Sequence, residues 1–87
     1  MIRIAALAEQ HGVTVAPHSV PEIHAHLALS MPRGCYGVES HGGPATDPLA
    51  HGLFEDHPEL REGFLHIGEA PGFGLAPDWK FVERYRA

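Results

Sequence analysis

The chain has 87 residues, a formal net charge of −5 and 44% hydrophobic residues. This length allows one domain at most with a modest core, because such a chain buries roughly 60–65% of the surface that it exposes when unfolded. The acidic balance argues against nucleic acid and anionic membranes as partners.

The sequence also bears on where the protein works. Its apolar runs are shorter than the roughly 20 residues of a membrane span, and its N-terminus lacks the pattern of a secretory signal. Cys35 is the only cysteine, so an internal disulfide is impossible. These features predict a cytoplasmic protein that does not bind membranes.

The first predicted element is a helix over residues 2–11. The spacing of Ile4, Leu7 and Ala8 places them on one helical face. Gly12 then suits the left-handed residue that often ends a helix.

Two short apolar segments predict strands. Residues 13–16 and 35–39 are rich in β-branched or aromatic residues and are bounded by Gly and Pro. Because a helix separates them, they should pair in parallel as a right-handed βαβ unit. Strands of such units are apolar on both faces and are normally covered by helices, so residues 13–16 are predicted to be a buried strand. Two helices, however, cannot cover both faces of Val13, Val15, Tyr36 and Val38.

The helix between these strands carries start and stop signals. Ser19 and Glu22 have the spacing of a capping box, and Pro21 suits a first helical turn. The helix should end near residue 30 or 31, because Pro32 and Gly34 follow.

The second half of the chain predicts shorter elements. In chain order they are a loop at 40–48, a helical turn within 47–54, a hairpin at 60–67 and a tight turn at 71–75. The hairpin should turn at Glu62-Gly63. Asp78 should cap a terminal helix on which Trp79 and Tyr85 pack.

Two residues stand where chemistry is expected. His18 follows the first predicted strand, and Glu39 ends the second. Strand ends of this kind carry the catalytic residues of βα-barrels. His18 could act as a general base, and Glu39 could stabilise developing negative charge if burial keeps it protonated. A backbone-bonded loop histidine and a solvated carboxylate are the competing interpretations.

The remaining histidines raise the alternative of a metal-binding protein. Their spacing does not favour a zinc site, since His24 and His26 are two residues apart and point to different sides of a helix. The full set is His11, His24, His26, His41, His51, His57 and His66.

Five segments in fixed order resemble the C-terminal end of the mandelate racemase/muconate lactonising branch of the enolase superfamily. They are Ile2-Arg-Ile-Ala-Ala-Leu-Ala-Glu-Gln-His-Gly12, Ala16-Pro-His-Ser19, Glu22-Ile-His-Ala-His-Leu27, Tyr36-Gly-Val-Glu39 and Pro71-Gly-Phe-Gly-Leu75. The resemblance implies an α/β fold, the last portion of a (β/α)7β TIM-like barrel. Residues 1–59 would be barrel, and residues 60–87 a tail that packs on a capping domain.

The resemblance also implies roles and a cofactor. Full-length relatives are Mg²⁺-dependent isomerases or lyases, namely racemases or dehydratases of hydroxy acids or acid sugars that act by α-proton abstraction. The residue matching His18 is the general base or acid, and the one matching Glu39 hydrogen-bonds the substrate carboxylate. The Mg²⁺ ligands, a lysine and an aspartate lie on earlier strands, which have no match here. The 87 residues alone are therefore expected to be inactive.

Two further expectations follow. With few helices to cover its strands, the chain should bind a partner, either a second copy or the missing part of the barrel. The alternative to an enzyme piece is a non-enzymatic, self-associating module that kept the fold and lost the chemistry.

Overall fold

A computed structural model describes residues 1–31 and 33–87; Pro32, predicted to help end the second helix, lies outside the described residues. The elements are α1 Ile2–Gln10, α2 Pro21–Leu29, α3 Pro48–Gly52, β1 Glu59–Arg61, β2 Phe64–His66 and α4 Trp79–Arg84. They belong to two compact units, Met1–Ser40 and His41–Ala87. In the part of the chain that is described, every helix is too short or too polar to cross a membrane. The division into barrel at 1–59 and tail at 60–87 stays a prediction.

The end of α1 follows the sequence signal. Gly12 has φ 67°. Its N–H donates to the carbonyl of Glu9 at 3.0 Å, and the N–H of Val13 donates to the carbonyl of Ala8 at 2.9 Å. These two bonds form a Schellman motif, which satisfies carbonyls at the helix end. The predicted helix and its terminator are confirmed.

The two predicted strands pair in parallel, but only through one bridge, Val15 with Cys35. The N–H of Val15 donates to the carbonyl of Gly34 at 2.8 Å. The next rung would need an N–H two residues further on, where Pro17 has none. The pairing direction is therefore confirmed, whereas the ladder is too short to count as two strands.

Within the described chain these segments are covered only in part, as expected, whereas the burial predicted for residues 13–16 is wrong. Tyr36 is 77% exposed and Val13 55% exposed. On α1 the outward residues are Ile4 and Leu7, whereas Ala5 is 1% exposed. The small core of the first unit is Ala5, Met31 and Cys35, with Val15, Leu27 and Ala28 packed against it.

Close packing of backbone explains why Ala5 is the buried residue of α1. A Cβ added to Gly34 would lie 3.1 Å from the carbonyl oxygen of Ala5 and 3.2 Å from its Cβ. The helix therefore approaches the backbone at Gly34 through its smallest side chain. Larger residues on the neighbouring faces of α1 are left outside this contact.

The start of α2 departs from the prediction. Val20, not Ser19, is the N-cap residue, and its side chain makes no capping hydrogen bond. Pro21 occupies the first turn as expected. The predicted capping box of Ser19 and Glu22 is wrong, because both Ser19 and Val20 adopt positive φ, at 61° and 42°.

In the second unit, α3 and α4 each begin with an aspartate cap, of which only the Asp78 cap was predicted. Asp47 accepts a hydrogen bond from the N–H of Ala50 at 3.1 Å, and Asp78 accepts one from the N–H of Phe81 at 2.9 Å. An antiparallel bridge between Phe54 and Pro77 brings the two helices together. The Asp78 cap and the helical turn within 47–54 are both confirmed.

The hairpin is also confirmed, with β1 and β2 antiparallel and Leu60 opposite Leu65. Glu62 and Gly63 have φ 52° and 82°, which is the pattern of a type I′ turn. The predicted packing of Trp79 is wrong within the described chain, because this residue is 68% exposed. Tyr85 is exposed as well, although its ring lies 4.9 Å from that of Phe81.

Candidate functional site

The structure brings the two predicted site residues together. His18 Nδ1 lies 2.6 Å from Glu39 Oε2. The backbones that carry them are also joined, since the N–H of Glu39 donates to the carbonyl of Pro17 at 3.0 Å. When the Glu39 carboxylate is ionised it only accepts hydrogen bonds, and in that state Nδ1 carries the hydrogen of this contact. The catalytic roles of the two residues stay predictions.

Both side chains are open to solvent within the described chain. The exposed fraction is 63% for His18 and 55% for Glu39. The burial on which a protonated Glu39 depended is thus not provided by the described residues. A catalytic site here would need more protein to cover these two side chains, because electrostatic interactions strengthen when water is excluded.

The loop after His18 is strained. A β-branched residue such as Val20 rarely adopts a left-handed conformation, and each such residue costs about 1–3 kcal/mol. This conformation is not predicted from the sequence, because neither Ser nor Val favours it. Strain of this kind persists only when surrounding contacts fix the backbone.

One contact to this loop was not predicted from the sequence. His24 Nδ1 lies 2.6 Å from the carbonyl oxygen of Ser19. In the sequence His24 stood only among possible metal ligands. Its spacing from Ser19 alone does not indicate the contact, because the contact depends on the positive φ of Ser19 and Val20.

The donors at the pair do not suit Mg²⁺. Mg²⁺ takes oxygen ligands in near-octahedral geometry, whereas the contact of Glu39 is with an imidazole nitrogen. Three other carboxylates make contacts within their own segments. Asp47 and Asp78 cap helices, and Glu83 pairs with Arg86 at 3.0 Å. The pair is therefore suited to hydrogen bonding and proton transfer rather than to holding the ion.

Two histidines of the second unit pack on each other. The rings of His51 and His57 stack with centroids 3.8 Å apart and planes 6° apart. His57 Nε2 is 2.8 Å from the carbonyl oxygen of His51 and donates to it. Ring nitrogens bind metals in the ring plane, so face-to-face stacking does not point both rings at one ion. This pair gives no support to the metal-binding alternative.

A groove of about 800 Å³ lies between α3 and α4 in the second unit. Its lining is mostly apolar and includes Leu49, Leu53, Trp79, Val82 and Tyr85. Ligand sites need a few convergent polar groups, but the acids here are engaged in a cap and an ion pair. His18 and Glu39 are therefore the stronger candidate for chemistry.

Comparisons with known proteins agree on one family. A family model described as enolase C-terminal domain-like matches residues 1–81. A putative L-rhamnonate dehydratase of Caldivirga maquilingensis is 35% identical over 78 residues, covering 86% of this chain and 20% of the relative. A D-galactonate dehydratase family member of Streptomyces bingchenggensis is 29% identical over 90 residues, covering 95% of this chain and 21% of the relative.

Solved structures give the same result. A mandelate racemase/muconate lactonizing enzyme from a marine actinobacterium, in complex with magnesium, has a TM-score of 0.79 and 30% identity, covering 99% of this chain and 24% of that one. L-talarate dehydratase from Polaromonas sp. JS666, with Mg and L-glucarate, has a TM-score of 0.71 and 32% identity, covering 94% and 21%. The chain thus spans about a fifth of the length of the curated relatives that it matches.

Proposed function

The chain belongs to the mandelate racemase/muconate lactonising family of the enolase superfamily, and from this premise we propose that His18 and Glu39 act in an acid-sugar dehydratase or racemase. The chain matches the C-terminal part of a TIM-like barrel, as the sequence predicted. The observation that carries the proposal is the 2.6 Å contact between the two side chains, next to parallel-paired segments.

The geometry supports a division of roles. With Nδ1 turned to Glu39, the atom that we assign to proton transfer is His18 Nε2. The Glu39 carboxylate holds the imidazole in one tautomer and orientation. In the proposed reaction His18 exchanges a proton with the substrate, and Glu39 contacts the substrate carboxylate, as the resemblance implies.

The proposal includes residues outside these 87. The magnesium of the structural relatives has no suitable oxygen set at the His18–Glu39 pair, so we propose that other segments of the barrel hold it. Those segments would also cover the two exposed side chains and exclude water from them. A cytoplasmic location for the assembled enzyme remains part of this proposal.

A segment exchange tests the proposed function. The matched 78 residues of the L-rhamnonate dehydratase relative are replaced by this chain, and the chimera is assayed on several acid sugars with Mg²⁺. We expect Mg²⁺-dependent turnover from the chimera and none from the 87 residues alone. Turnover by the isolated chain that is lost in His18→Ala would contradict the expected inactivity. A folded chimera that lacks turnover, while its parent is active, would count against the proposed roles.

A second candidate function is self-association without chemistry, and the exposed apolar residues of the first unit favour it. Ile4, Leu7, Val13 and Tyr36 are all more than half exposed. Burying apolar area contributes about 25 cal/mol per Å², so covering this surface would stabilise the chain. A second copy could cover it with two-fold symmetry.

We expect the purified chain to be a dimer by light scattering at micromolar concentration. Ile4→Glu, which places a charge on the exposed face of α1, should shift it towards monomer. Gln10→Glu adds the same charge at the end of the same helix and serves as the control. A monomeric wild-type chain with cooperative unfolding would rule out the dimer.

A further inference from the structure

The conformation of the loop after His18 needs a cause. Ser19 and Val20 both have positive φ, and α2 starts without a side-chain cap. Left to their own preferences, these two residues would adopt ordinary negative φ. The direction in which the backbone leaves His18 depends on this conformation.

His24 contacts the loop with both its side chain and its backbone. Its Nδ1 is 2.6 Å from the carbonyl oxygen of Ser19, and its N–H donates to the carbonyl of Val20 at 3.1 Å. A carbonyl only accepts, so the imidazole donates through Nδ1–H. His24 therefore fixes two successive peptide groups of the strained loop.

The side-chain bond is not an ordinary helix cap. A cap at a helix start accepts hydrogen bonds from unpaired N–H groups, whereas His24 donates to a carbonyl that precedes the helix. The bond does not involve the backbone N–H groups at the start of α2. Its effect falls on the loop that carries His18.

The backbone on the other side of His18 is fixed as well. Pro17 is buried, and its carbonyl accepts from the N–H of Glu39 at 3.0 Å. His18 thus lies between a carbonyl held by Glu39 and a carbonyl held by His24. We propose that His24 is a positioning residue, whose bond to Ser19 keeps the His18 imidazole against Glu39. A catalytic effect of this role rests on the proposed function, whereas the contacts of His24 with the loop do not.

Two substitutions separate the hydrogen bond from the bulk of the ring. His24→Phe keeps a ring of similar size and removes the donor. His24→Asn removes the ring but keeps an amide N–H near the position of Nδ1. His66→Phe, on exposed β2 of the other unit, is the matched control.

The measurement is NMR on the isotope-labelled 87-residue chain. Intraresidue HN–Hα contacts of Ser19 and Val20 report positive φ, because the two protons are closest there. Long-range ¹H–¹⁵N spectra at about pH 8.5, where imidazole is neutral, report the tautomer of His18. We expect His24→Phe to weaken those contacts and to convert a single His18 tautomer into a mixture, while His24→Asn and His66→Phe keep the wild-type pattern.

Unchanged signals of Ser19, Val20 and His18 in His24→Phe would overturn the proposal. So would an equal loss in His24→Asn, since the ring rather than the donor would then be what matters. If His24→Phe does not fold, His24→Asn decides alone, because a folded chain with an altered His18 tautomer contradicts the assigned bond. These spectra do not involve turnover, so their failure is distinct from failure of the proposed function.

Discussion

His18→Ala should lower the turnover of the chimeric barrel by about 10²–10⁴-fold, the usual contribution of a general acid or base. The imidazole is the group that we assign to move the proton, and alanine has no titratable group to take its place. The measurement is kcat with Mg²⁺ and the acid sugar on which the chimera is most active. His11→Ala, at the exposed end of α1, is the control and should stay within about twofold of the chimera.

Glu39→Gln should have a smaller effect, about 10²-fold in kcat, because the amide oxygen still accepts from His18 Nδ1 while the charge is lost. If the two residues act as a unit, the double variant will lose little more than His18→Ala alone. Additive losses would indicate separate roles. A chimera whose rate survives His18→Ala would remove this histidine from the mechanism.

The features that the sequence predicted well are those that depend on neighbouring residues. Gly12 ends α1, Asp78 caps α4, and Glu62-Gly63 turns the hairpin. Each signal requires a particular φ or a side-chain acceptor within three residues. Such requirements can be recognised without knowing the rest of the fold.

The predictions that failed depend on which other parts of the folded structure pack against a residue. An apolar segment such as 13–16 indicates that burial is needed, but not which chain provides it, and Val13 is exposed here. Ser19 had the spacing of a cap, yet the loop adopts positive φ and Val20 takes the cap position.

The candidate site was predictable in part, because two strand-end residues on parallel neighbours must lie close together. His18 and Glu39 do so. The link from His24 to Ser19 was not predictable, since it depends on a backbone conformation that neither Ser19 nor Val20 favours.

Gly52→Ala should destabilise the chain, although helix propensity alone predicts the opposite. Replacing Gly by Ala within a helix normally gains about 1 kcal/mol. Here the added Cβ would lie 2.2 Å from Cζ of Phe81 and 2.4–2.5 Å from its two Cε atoms. The Phe81 ring would have to leave its half-buried place between α3 and the ring of Tyr85. Overpacking of this kind costs about 1–3 kcal/mol, so after the gain in helix propensity we expect a net loss of up to about 2 kcal/mol.

Thermal unfolding measures this loss, since about 1 kcal/mol shifts Tm by about 4–8 °C in a small domain. Gly68→Ala is the matched control, because its Cβ would meet nothing within 4 Å. We expect it to change stability by less than about 0.5 kcal/mol. Phe81→Leu shortens the side chain and should relieve the clash, so the double variant should show a coupling of at least about 0.5 kcal/mol relative to the single changes. A Gly52→Ala chain as stable as the Gly68→Ala control would mean that Phe81 does not pack over Gly52 in solution.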